Sequence, residues 1–205
     1  MRVGGCGGSG MDTEKTRMAA QVADHVHRFF TIGHSVRSVD EVADLLQEAG
    51  ADMVVDVRSM PRSRANPQFN IEQLTGALGE RQIAYRHIAA LGGLRGRQGA
   101  AGASPNTFWR NKSFRNYADY AMTPAFEAGL AELRGLGGRR TCAVMCAEVL
   151  WWRCHRRIIA DYLLAGGATV FHILGPGSIE PASPTPGVEE VAEGLIYRDR
   201  EGVGS

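Results

Sequence analysis

A chain of 205 residues, 44% hydrophobic, is long enough to bury the core of one domain without disulfide or metal staples. Its apolar runs fall far short of the roughly 18 residues a membrane span needs, which excludes a membrane-spanning class. Net charge is only +1, and four cysteines (Cys6, Cys142, Cys146, Cys154) in a chain this long exclude a disulfide scaffold.

In chain order, residues 1–27 form a Gly-rich leader without the apolar segment of a secretory signal, expected to be flexible, and a cytoplasmic location is the default expectation. "RFFTIGHS" reads as a first strand that delivers His34 and Ser35 at its exit. A helix follows in "SVDEVADLLQEAG", with Ser38 and Glu41 as a capping box and Gly50 as its stop. "DMVVDVR" is a second strand, its unbroken apolar middle fitting a sheet covered on both faces. Asn70 is expected to cap the helix "IEQLTGALGE", and "IAYRHI" is a third strand. The basic, Gly-rich stretch "LGGLRGRQGAAGASPNTFWRNKS" has no evident element, which predicts a functional or mobile loop. Then come helices in "SFRNYADYAM" and "PAFEAGLAELRGL", a fourth strand "RRTCAVMCA", a helix in "WRCHRRIIADYLLAGG" and a fifth strand "ATVFHIL".

Alternating strands and helices predict a single three-layer α/β domain over residues 28–175, its mostly parallel sheet of five to six strands flanked by helices on both faces. Residues 176–205 read as a Pro-rich C-terminal tail in which "GLIYRDR" adds an edge strand or stays loose.

Ligands of open α/β sheets bind beyond the carboxyl ends of the strands. That rule brings together His34, Ser35, Asp56, Arg58, His87, Gly92, Gly93, Cys146 and Glu148 on one rim. The charge is also unevenly spread. Residues 58–115 hold nine arginines and one lysine against Glu72 and Glu80, a local +8 that leaves −7 for the rest. Such asymmetry points to an anionic partner, either a small molecule or a nucleic acid. Arg58 and Arg62 of "DVRSMPRSR", with Arg156 further on, are candidate anion holders because the planar guanidinium fork matches phosphate and carboxylate oxygens.

The stretch "MCAEVLWWRCHRR" is the densest in chemistry. Cys146 at a strand end, shortly before a helix and near arginines, is the candidate nucleophile, with Glu148 and His155 as proton carriers. Cys142 and Cys154 read as packing, and Trp151 and Trp152 as either pocket wall or core. No metal site is assigned. Cys-x7-Cys-His lacks the paired knuckle of structural zinc sites, and neighbouring residues at a helix start rarely aim at one ion. Six residues separate Cys146 from Arg153 and nine separate it from Arg156, which does not match the anion loop of cysteine phosphatases or rhodaneses.

Five motifs, "TIGHS", "VVDVRSMPRSR", "YRHIAALGG", "MCAE" and "CHRRIIAD", occur in an order that resembles the domain of unknown function 488 family over roughly residues 29–175. The resemblance implies a compact, chiefly prokaryotic α/β protein and lends weight to the rim as a site, with Tyr85, Cys154 and Arg156 among the matching positions. It implies no reaction and no cofactor. Three readings stay open: an enzyme acting on an anionic, phosphate-bearing or nucleotide-like substrate; a nucleic-acid module in which Phe108, Trp109 or Tyr117 stacks on bases; and a thiol redox sensor. Cofactor and oligomeric state are not legible.

Overall fold

A computed structural model describes residues 27–97 and 103–199. The leader, and five residues of the Gly-rich stretch, lie outside the described residues. Six strands, β1 (Arg28–Gly33), β2 (Met53–Asp56), β3 (Ala84–His87), β4 (Cys142–Cys146), β5 (Thr169–Gly175) and β6 (Ser178–Pro181), form one sheet in the order β3-β2-β4-β1-β5-β6. The first five run parallel, and β6 returns antiparallel along β5. The expected three-layer α/β domain is therefore present.

Period-two alternation sorts the strand residues between the layers. On one face Phe30, Ile32, Val54, Ala143 and Met145 pack against α1 (Val39–Glu48) and α2 (Ile71–Glu80). On the other, Phe29, Val55, Cys142 and Val144 meet α3 (Lys112–Ala121), α4 (Pro124–Gly137) and α5 (Arg156–Ala165). Both faces are covered, which is why the central strands carry near-continuous apolar runs such as Met53–Val55 and Cys142–Met145. Cys142 is core, as read from the sequence.

The capping box of α1 forms as expected: the Glu41 amide donates to Ser38 Oγ at 3.1 Å, and the Ser38 amide to Glu41 Oε2 at 2.6 Å. Asn70 does not cap α2 with its side chain. Its Oδ1 accepts the Ser63 amide at 2.7 Å instead, holding the "RSMPRSR" loop to the start of that helix. The helix expected from Trp152 begins only at Arg156. Trp151–Arg153 is a separate 3-10 turn, and Cys154 is extended (φ −123, ψ 147).

The domain also runs past the expected boundary at Gly175. Besides β6, residues of the presumed tail build a hairpin of β7 (Val188–Val191) and β8 (Gly194–Tyr197). Leu195, Ile196 and Tyr197 are buried. Tyr197 Oη donates to Asp161 Oδ2 at 3.1 Å on α5, its amide donates to Asn106 Oδ1 at 2.9 Å, and its carbonyl accepts the Phe108 amide. Buried polar groups satisfied on three elements make this segment structural. The prolines misled because they mark the turns between short strands as well as loose linkers. Among the described residues, no helix is long and apolar enough to cross a membrane.

Candidate functional site

Parallel strands bring the exits of β1, β2 and β4 side by side. The His34 and Ser35 amides donate to the Cys146 and Ala147 carbonyls at 3.0 and 2.8 Å, so the β1 and β4 exits are stitched together. Gly33 permits this, since a Cβ there would lie 2.0 Å from the Glu148 carbonyl oxygen. Above the exits opens a cleft of about 610 Å³. Its walls include Ser35, Arg58, Ser59, Arg62, Gly93, Tyr117, Glu148 and Arg153, and Cys146, Cys154 and His155 all face it.

Those last three residues form a tight cluster. His155 Nε2 lies 3.0 Å from the Val57 carbonyl oxygen, which can only accept, so Nε2 carries a proton and Nδ1 is the nitrogen turned to the sulfurs. Nδ1 lies 3.6 Å from Cys154 Sγ and 4.0 Å from Cys146 Sγ. The imidazole is further held edge-on to the Tyr117 ring, 5.0 Å between centroids. Gly93 makes room for it, because a Cβ would stand 2.4 Å from Nδ1. Consecutive residues can aim at one point here because Cys154 is extended while His155 (φ −58, ψ −17) already has helical dihedrals.

Arg156 is 1% exposed, and no carboxylate pairs with it among the described residues. Its Nε donates to Cys154 Sγ at 3.3 Å, and its NH2 to the Glu148 and Val149 carbonyls. A buried guanidinium requires a compensating anion, and the Cys154 sulfur is the group in place. The Cys146 thiol, donating to that sulfur, holds the Cys154 pKa well below its usual range, with His155 and Arg156 adding to the effect. The same hydrogen bond, together with burial and the Cys154 charge, pushes the Cys146 pKa up. Both effects favour Cys154 over the expected Cys146 as the more acidic thiol, and Arg156 is a positioning residue behind the cleft rather than a holder of substrate.

Several other expected rim residues form a layer beneath the cleft. Asp56 is wholly buried and accepts from Arg58 Nε, the Arg58 amide and Tyr85 Oη, at 2.9, 2.9 and 2.7 Å. Arg58 NH2 also donates to the Phe69 carbonyl, and its NH1 lies 3.4 Å from His34 Nε2. His34 stacks on Phe69 with ring centroids 3.9 Å apart. Burial, reinforced by the Arg58 charge, pushes its pKa down to about 4, so it is neutral. Asp56, Tyr85 and His34 thus fix the Arg58 loop and do not reach the cleft, while Gly92 packs against Ser59. Ser35, Arg58, Arg62, Gly93, Cys146, Glu148 and His155 do line it.

Cys154 and Arg153 line the cleft although chain order does not single them out. Cys154 reads as packing, and Arg153 is one arginine among many. Trp151 stacks on His172 at 4.1 Å, and neither it nor Trp152 lines the cleft. Trp109 and Tyr117, expected as stacking platforms, are 6% and 1% exposed.

A family model described as Domain of unknown function DUF488 matches residues 38–163, more than half of the chain. The chain belongs to the DUF488 family. The match spans β2, β4, the cleft loops and nearly all of α5, so this DUF488 chain carries the Cys146–Cys154–His155 cluster within the family domain itself. No curated protein and no solved structure matches the chain.

Proposed function

We propose that this DUF488 protein is an enzyme that takes an anionic, phosphate-bearing small molecule into the cleft and transforms it at the Cys146–Cys154–His155 cluster. The observation that carries this reading is the imidazole whose Nδ1 faces two sulfurs on the floor of an accessible cleft. Arg62 and Arg153 stand on the walls, exposed and without ion-pair partners among the described residues, and supply the anion contacts. Met60 and Leu94, 75% and 80% exposed, line the same cleft and suit the organic part of the ligand. Glu148, whose Oε1 accepts the Leu150 amide at 3.2 Å, is the carboxylate placed to move a proton.

A nucleic-acid role draws less support. Five of the nine arginines in residues 58–115 are engaged internally: Arg58 with Asp56, Arg81 with Asp44, Arg86 with Glu132, Arg95 with the Ala89 carbonyl and Arg115 with the Trp109 carbonyl. The thiol-sensor reading keeps one observation in its favour, since the ligand atoms of the cluster lie within 4.8 Å of one another. Its test is a peroxide-driven loss of two hydrogens linking Cys146 to Cys154.

The enzyme reading is tested by titrating phosphate, pyrophosphate and a nucleotide into the protein and following backbone NMR shifts. Saturable binding should map to the cleft and weaken about tenfold or more in an Arg62→Ala/Arg153→Ala variant. No saturable binding, or binding that this variant leaves intact, removes the proposal.

A further inference from the structure

From the geometry of the cluster we infer that Cys146, Cys154 and His155 hold a borderline-soft divalent metal, zinc by preference, with one coordination position open to the cleft. This rests on the cleft being the reaction site and names its cofactor. It assigns the two sulfurs to holding the ion rather than attacking substrate.

Three observations support it. First, the ligand atoms of these three residues lie within 4.8 Å of one another. A tetrahedral ion with Zn–S near 2.3 Å and Zn–N near 2.05 Å sets its S···N edges at about 3.6 Å. The Nδ1 distances are 3.6 Å to Cys154 and 4.0 Å to Cys146, at or near that edge. Second, the outer layer already has the form metal sites use. His155 donates its other ring nitrogen to the Val57 carbonyl, which fixes the ring and leaves Nδ1 free to bind. Arg156 Nε donates to the Cys154 sulfur, as hydrogen-bond donors do to metal-bound thiolates. Third, there is no fourth protein ligand in the cluster among the described residues. Tyr117 Oη, on the cleft wall, is spent on the Leu91 carbonyl at 2.8 Å. Structural zinc sites are closed by four protein ligands, whereas catalytic ones keep three and leave a position for water or substrate. Two thiolates and an imidazole also select against magnesium and calcium, which take oxygen ligands.

The charges deepen the functional reading. On binding, each sulfur is a thiolate, any remaining thiol proton leaves to solvent, and His155 keeps its Nε2 proton. A divalent ion with two thiolates is neutral, so the buried Arg156 leaves one positive charge at the site. An anionic fourth ligand balances it. The open position therefore favours a substrate oxyanion or hydroxide over a neutral ligand, in keeping with the anionic substrate class.

The test is a Co²⁺ titration of the reduced full-length protein, read by absorption. One equivalent should bind, give thiolate-to-cobalt charge-transfer bands with tetrahedral visible bands, and be displaced by Zn²⁺. Cys146→Ser and Cys154→Ser should each lose most of the charge-transfer intensity, while Cys142→Ala keeps it. Should a cysteine variant fail to fold, the wild-type protein still decides: Zn²⁺ should protect Cys146 and Cys154, identified by mass spectrometry, from alkylation. No stoichiometric uptake, or uptake without thiolate bands, overturns the metal site. Phosphate binding by the metal-free protein separates the two claims. If it persists while cobalt does not bind, only the metal falls; if cobalt binds but phosphate never does, the anionic-substrate reading falls.

Discussion

Replacing Gly93 with alanine probes the cluster through a single methyl group. The added Cβ would stand 2.4 Å from His155 Nδ1, 2.8 Å from Cε1 and 2.9 Å from Cγ. Ordinary contact requires about 3.4 Å or more, so the imidazole must retreat by roughly 1 Å. It cannot retreat freely, being tied to the Val57 carbonyl and seated against the Tyr117 ring. Overpacking of this kind costs about 1–3 kcal/mol, while the larger consequence is that Nδ1 leaves the two sulfurs. Gly76, inside α2 with nothing within 4 Å of its Cβ position, is the matched control, where alanine should be neutral or stabilise by up to about 1 kcal/mol. Urea denaturation of both variants gives the stability difference, and cobalt absorption reports the cluster. A Gly93→Ala protein with wild-type stability and an unchanged cobalt spectrum would refute the packing argument.

The layer beneath the cleft yields further expectations. Asp56→Asn leaves the buried Arg58 guanidinium without its charge partner and should cost roughly 3–5 kcal/mol, visible as a lowered urea midpoint at neutral pH; an unchanged midpoint would show the pair to be dispensable. Burial pushes His34 and His172 down to about 4, so between that value and about 6.5 the unfolded chain binds more protons than the folded one. Their contribution is complete above pH 6.5 and is lost as pH falls towards 4, on the order of 1–3 kcal/mol for each. His172→Gln should flatten the slope of stability against pH in that window, and an identical slope would contradict the assignment. Tyr197→Phe removes the hydroxyl that Asp161 accepts and should destabilise by about 1–2 kcal/mol, whereas a loose tail would show no change. A stop after Gly175 should abolish cooperative unfolding, since it removes β6 and the buried face of the β7-β8 hairpin.

Much of the fold was legible because period-two and helical patterns record burial directly. The unbroken "MVV" of β2 and the capping box at Ser38 carry their structure locally. The rim could be placed on chain order alone, since parallel strands collect their exits. What stayed hidden was direction. Asp56, His34 and Arg156 lie at strand and helix ends as expected, but each turns inward to satisfy a neighbour. Nothing in the spacing of Cys146 and Cys154 announces a meeting of sulfurs, because it depends on an extended residue placed just before a helix. Cys154 reads as packing within a helix that in the fold begins only at Arg156. The presumed tail was misjudged for a similar reason: the partners of Tyr197, Asn106 and Asp161, are distant in sequence.

The central claim, a reactive sulfur cluster in a cationic cleft, is tested most directly by comparing alkylation by iodoacetate and iodoacetamide in chelator-treated protein. The two reagents are close in size and differ in charge. Free glutathione supplies the reference ratio of rates. The cluster cysteines, Cys154 foremost, should favour iodoacetate over that reference, and the preference should shrink with added salt and in the Arg62→Ala/Arg153→Ala variant. Equal relative rates, or cysteines inert to both reagents until the protein unfolds, would contradict the account.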